Sequence, residues 1–170
     1  MNIKDKIVEN LCSLLNENNK KEKLYELSMS KKYIIDKLYD IRIKLNYHLI
    51  YCYFYTNSDS YNHWKTEIAG LVKNLPRISG TNKYPSEKQL KKWVINNNIE
   101  EINENIDFYV QDSLEEENIK EIPKYNKQAL INYLTEYWLW LSENISNGKN
   151  LLSSTVYNKI DELVEKYRLS

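Results

Sequence analysis

The chain has 170 residues, and its 24 Lys and Arg balance 24 Asp and Glu, so the formal net charge is zero. This length suits one domain with a real core, and 42% hydrophobic with 28% charged residues describes a soluble globular protein, not a disordered one. Three Gly and three Pro are too few for a turn-dense β-sandwich or barrel, and they leave no glycine-rich loop for a P-loop or dinucleotide fingerprint.

Residues 4–18 read as a first helix, with Ile7, Leu11, Leu14 and Leu15 on one apolar face. Asn16 to Lys23 reads as a polar connector. Ser30 then suits the cap of a second helix running to about Tyr55, whose stripe is Ile34, Leu38, Ile41, Leu45, Leu49 and Cys52. Thr56 to Ser60 is a short polar turn, and short turns between helices make antiparallel neighbours. The third helix carries Tyr61, Trp64, Ile68, Leu71, Val72 and Leu75 and stops at Pro76.

Pro76 to Pro85 is the one long irregular stretch. Ser86 with Gln89 matches a capping box, so a fourth helix with Leu90, Trp93 and Val94 is expected there, broken or bent at Asn96-Asn97-Asn98. Ile99, Ile102, Ile106, Val110 and Leu114 form a fifth amphipathic segment with acids outward, and Pro123 marks a boundary. A sixth helix over Lys127 to Ser146 turns Leu130, Leu134, Tyr137, Trp138, Leu141 and Ile145 inward, with Gly148 at its C-cap. Ser154 opens a last helix with Val156, Ile160, Leu163, Val164 and Tyr167. The expected architecture is an all-α, single-domain bundle of six to seven helices around a central hairpin. Residues 1–122 form its core, and residues 123–170 form a C-terminal helical hairpin packed on it.

The apolar runs are too short to span a membrane, and Met-Asn-Ile-Lys-Asp-Lys at the start has no apolar signal core, so a cytoplasmic location is expected. Cys12 and Cys52 supply no disulfide framework. Asn, Lys, Ile and Tyr (22, 21, 18 and 15) make up 76 residues, and Lys outnumbers Arg 21 to 3. AT-rich codons explain this bias. Tyrosine-based stacking on nucleic acid would have to rest on position instead.

Charge is segregated along the chain. Lys73, Arg77, Lys83, Lys88, Lys91 and Lys92 face one acid, Glu87, a local balance of +5; from Glu101 to Ile122, eight acids face Lys120 alone, a balance of −7. Either the two stretches neutralise each other, or the first is a basic patch, with Tyr84 and Trp93 interleaved, that meets phosphate. Lys88, Lys91 and Lys92 open a helix where positive charge opposes the helix dipole, which hints at an acidic counterpart. Arg77, Lys83, Tyr84, Lys88, Lys91 and Lys92 are therefore candidate partner-binding residues, joined by Trp140 as an aromatic anchor off the buried face.

A metal site is the less favoured reading. His48 and Cys52 are four apart on one helix, His63 and Glu67 on the next, and a hairpin could bring them level as tetrahedral zinc would need. Trp64 and Ile68, however, place His63 and Glu67 on the helix flank. No catalytic set emerges either: Cys52 sits in the apolar Tyr-Cys-Tyr-Phe-Tyr run, and Glu115-Glu116-Glu117 fan around a helix. No cofactor is expected.

His48-Leu49-Ile50, a polar stretch, then Trp64 with Ile68, followed by Pro85-Ser86 before a helix and an acidic helix from Tyr109 to Glu117, resembles the DUF29 family of helical domains over Ser30 to Asn118. The resemblance implies an all-helical bundle with no established function. The reading from all of this is a non-enzymatic macromolecular interaction protein of an AT-rich bacterium or its mobile elements. Its partner is expected to be another protein, with nucleic-acid association as the alternative and a metal-dependent hydrolase as the second alternative.

Overall fold

The computed structural model describes residues 21–74, 87–146 and 151–168, and five helices and their connections make up all of it, with no strand among the described residues. They are α1 (Lys21–Phe54), α2 (Tyr61–Asn74), α3 (Glu87–Glu116), α4 (Lys127–Ser146) and α5 (Ser153–Arg168). The helix expected over residues 4–18, the Pro76–Pro85 loop, the capping serine Ser86 and the glycine Gly148 lie outside the described residues.

Ser58 folds the chain back after α1. Its backbone N–H reaches the carbonyl of Tyr55 and its carbonyl takes the N–H of Tyr61, both at 3.1 Å, while its hydroxyl accepts from the N–H of Ser60. The hairpin this makes is closed by aromatic packing: the Trp64 ring lies 5.4 Å from Tyr51 and 6.3 Å from Tyr55. Along α1, Ile41, Leu45, Leu49 and Cys52 are all buried, as the helical spacing requires. α1 touches each of the other four helices and is the axle of the bundle. It is also longer than expected. Lys21 to Lys23 are helical rather than connector, and Ser30 is a mid-helix residue rather than a cap. Lys, Glu, Leu and Met crowd residues 20–29, and these strong helix formers carry the helix through Ser28 and Ser30.

The expected fourth and fifth helices are one helix, α3, and its break falls at Asn105 (φ −129°, ψ 27°), not at Asn96 to Asn98. Tertiary partners hold the asparagine triplet helical: Asn98 is completely buried and hydrogen-bonded. α3 ends in a Schellman motif. Asn118 takes the left-handed conformation (φ 58°), its N–H bonds the carbonyl of Glu115, and the N–H of Ile119 bonds that of Leu114. After a linker through Pro123, Asn126 caps α4 by accepting the N–H of Ala129 on its side-chain oxygen (3.0 Å).

α4 buries Leu130, Leu134, Tyr137, Trp138 and Leu141 against α3 on one side and α5 on the other. α5 begins at Ser153, one residue before the expected start, and buries Val156, Ile160, Leu163 and Val164. Lys65 of α2, nearly buried, reaches Asp161 of α5 at 3.0 Å, and the Tyr61 hydroxyl donates to the same carboxylate at 2.6 Å. Tyrosines fill much of the core, and their hydroxyls stitch helix to helix. Tyr51 donates to the carbonyl of Ser113 (2.7 Å) and Tyr133 to that of Leu49 (2.8 Å), while Tyr47 donates to the carboxylate of Asp112. No helix among the described residues is long and apolar enough to cross a membrane.

The hairpin core gives a first prediction. Trp64→Ala should lower unfolding stability by about 3–5 kcal/mol, because it removes a buried indole that two tyrosines pack against. Urea denaturation followed by helical dichroism measures it, and a loss under about 1 kcal/mol contradicts the packing described.

Candidate nucleic-acid interface

The charge split seen along the sequence falls on α3 and its flanks. Lys73 is exposed in the last turn of α2, where a cation suits the helix dipole. Arg77, Lys83 and Tyr84 lie outside the described residues. The backbone is helical through Lys88, Lys91 and Lys92, so their spacing of three and four places the three on one side of α3.

From Asn98 onward α3 is two-faced. Asn98, Ile102, Ile106, Tyr109, Val110, Ser113 and Leu114 are buried, whereas Glu100, Glu104, Asp107, Glu115 and Glu116 are exposed. Two of the acids have described ion-pair partners: Glu101 lies 3.7 Å from Arg42 of α1, and Asp107 lies 2.9 Å from Lys127 of α4. Asp107 also accepts from the Tyr125 hydroxyl at 2.5 Å, which ties the linker to α3. That bond, with the Lys127 ammonium, holds the Asp107 carboxyl below the usual carboxylate range. Burial and the same carboxylate push the Tyr125 phenol up to about 12.

Beneath the acidic face sits a buried polar cluster. Arg42 donates to the side-chain oxygen of Asn98 (3.1 Å) and to the Tyr109 hydroxyl (2.5 Å). Asn46 Nδ2 donates to the same Asn98 oxygen (2.8 Å), and Asn46 Oδ1 accepts from the Trp138 indole N–H (2.7 Å). Sequence reasoning read Asn98 only as part of a helix break and singled out neither Arg42 nor Asn46. One signal was there: Arg42 is one of only three arginines in a lysine-rich chain, and it lies beside Ile41 of the α1 stripe.

The four metal candidates do not converge. Cys52 is buried, while His63 and Glu67 are exposed on the flank of α2, 3.8 Å from each other. His48 donates from Nδ1 to the carbonyl of Lys44 and packs edge-on to Tyr51. Among the described residues no three His, Cys, Asp or Glu side chains are grouped to hold a metal ion. Trp140 is half-buried, its ring 5.6 Å from Tyr137 with the Lys159 ammonium 6.0 Å away, and it is the neighbouring Leu139 that is exposed.

Residues 72–130 match the family model described as initiator Rep protein, WH2, which belongs to DNA-binding replication initiators; the match covers about a third of the chain. No curated protein and no solved structure matches. The match displaces the resemblance to DUF29. The residues that carried that resemblance report packing: Leu49, Ile50, Trp64 and Ile68 are buried contacts of the α1–α2 hairpin, which any helical hairpin needs. It equally overturns the reading of a protein-binding interaction module, since the matching family acts on DNA.

The buried thiol supplies the second prediction. Burial pushes Cys52 up to about 12, so its thiolate is scarce at neutral pH. In a Cys12→Ser chain, Ellman's reagent at pH 8 should find no reactive thiol until denaturant is added. One equivalent reacting within minutes in the native protein would show that Cys52 is accessible.

Proposed function

We propose that the protein binds duplex DNA as a replication-initiator module does, with residues 72–130 as the contacting part, working in the cytoplasm. The observation that carries this reading is the match itself, because it encloses the one strongly basic stretch of a chain whose net charge is zero, together with the acidic stretch that follows it. Lys73, Arg77, Lys83, Lys88, Lys91 and Lys92 supply cations for phosphate, with Tyr84 interleaved. Five of the six are lysines, which meet phosphate as point charges and suit backbone contact better than bidentate reading of guanine.

Electrostatics assigns the two halves of α3 opposite parts. The exposed acids from Glu104 to Glu116 repel a polyanion, so that face turns away from DNA and the approach is confined to the basic end. This orients the module on the duplex without any base contact. A chain of zero net charge gains no long-range pull from its total, and binding then depends on the local patch and on low salt.

Fluorescence anisotropy with a labelled duplex tests the reading. Affinity should fall steeply as salt rises, with a log–log slope no steeper than about −5 if all six cations meet phosphate. Changing Lys88, Lys91 and Lys92 together to Glu should weaken binding at least tenfold and flatten the slope by about 2 to 3. Helical dichroism should not change. Salt-independent binding, or a triple variant that binds like the unchanged protein, overturns the proposal.

A further inference from the structure

α3 is continuous except at Asn105, where φ −129° and ψ 27° depart from helical values near −63° and −42°. A break of this kind leaves the angle between the two segments soft unless something spans it. The segment after the break is fixed to α1, through Tyr51 to the carbonyl of Ser113 and Tyr47 to Asp112. The segment before it carries Lys88, Lys91 and Lys92.

Arg42 spans the break. Its guanidinium, 1% exposed, holds Asn98 at 3.1 Å and lies 3.7 Å from Glu101 on one side of Asn105, and donates to Tyr109 at 2.5 Å on the other. The guanidinium carbon lies over the Tyr39 ring at 4.5 Å, a cation–π contact from its own helix. A planar fork with several donors can hold two segments at once, which the single ammonium of a lysine does not do.

We infer that Arg42 is a positioning residue: it sets the angle of α3 across Asn105 and thereby aims the lysine-bearing half of that helix at DNA. The inference rests on the DNA-binding reading and adds the part that directs it. The lever is long. Lys88 lies 17 residues before Asn105, about 25 Å along the helix, so a 10° change in angle moves it by about 4 Å. That is more than a hydrogen-bond length.

Two measurements on the full chain separate this inference from the reading it builds on. In a Cys12→Ser background, spin labels at Gln89→Cys and Glu143→Cys report the distance from the first half of α3 to α4 by double electron–electron resonance. The unchanged Arg42 should give one narrow distribution, and Arg42→Met or Arg42→Lys should broaden it or shift it by several ångströms. Tyr109→Phe, which removes one hydroxyl and keeps the ring, should act in the same direction and guards against a variant that fails to fold. In unlabelled protein, Arg42→Met should weaken duplex binding at least tenfold. Val164→Ala, a core truncation in α5, should lower stability while leaving both distance and affinity as they were. A distance distribution unmoved by Arg42→Met and Tyr109→Phe overturns the inference, as does a moved distribution with unaltered affinity. Failure of the unchanged protein to bind duplex would overturn the DNA reading instead, with the distances still deciding what Arg42 does.

Discussion

One side-chain oxygen, that of Asn98, holds three helices in register. It accepts from Arg42 and Asn46 of α1, and Asn46 in turn accepts the indole N–H of Trp138 from α4. The direction of the relay is forced. Arg and the Trp indole can only donate, so both asparagines must present their oxygens the way they do, and neither amide can flip without losing its partners. Apolar packing is tolerant of small slides between helices, whereas a relay of this kind has one satisfied arrangement. The cost is visible beside it: Arg42 Nε and Asn98 Nδ2 are buried without a hydrogen-bond partner among the described residues. Apolar replacement of such buried clusters is often neutral or stabilising, so its presence reads as specification of one geometry rather than as a source of stability.

That geometry matters for what α3 presents. The helix carries positive charge before Asn98 and negative charge after it, with Asn105 falling inside the acidic part, between Glu104 and Asp107. Tying Asn98 to α1 and α4 fixes the point from which the basic half projects. The tyrosines do similar work elsewhere. Each buried hydroxyl needs an acceptor, and the acceptors lie on neighbouring helices, so a codon bias toward tyrosine becomes a set of positional constraints. Tyr137 is the exception, its hydroxyl buried without a partner among the described residues.

Much of this fold is legible in the residues. The α4 stripe and the α1–α2 hairpin follow from helical spacing and a five-residue polar turn, because burial obeys the period of the helix. Asn96 to Asn98 misled for a physical reason: asparagine is a poor helix former, and only contacts distant in sequence, to Arg42 and Asn46, make it helical. The true break at Asn105 left no mark, since Ile102 and Ile106 keep their spacing across it. For the site, the charge split was plain but its meaning was not. A +5 stretch beside a −7 stretch fits internal neutralisation, a protein partner or DNA equally well, and only the family match favours DNA. Arg42 escaped notice because its role lies in side chains 56 and 67 positions away.

The relay acts as a unit only if its ends feel each other through Asn46. A double-mutant cycle on Trp138→Phe and Asn98→Ala, read by urea unfolding, measures this directly. Trp138→Phe removes the indole donor at one end, and Asn98→Ala removes the shared acceptor at the other. The account predicts a coupling above about 0.5 kcal/mol, because losing either end already disorients Asn46. Strict additivity, with Asn98→Ala alone costing less than about 0.5 kcal/mol, would contradict it.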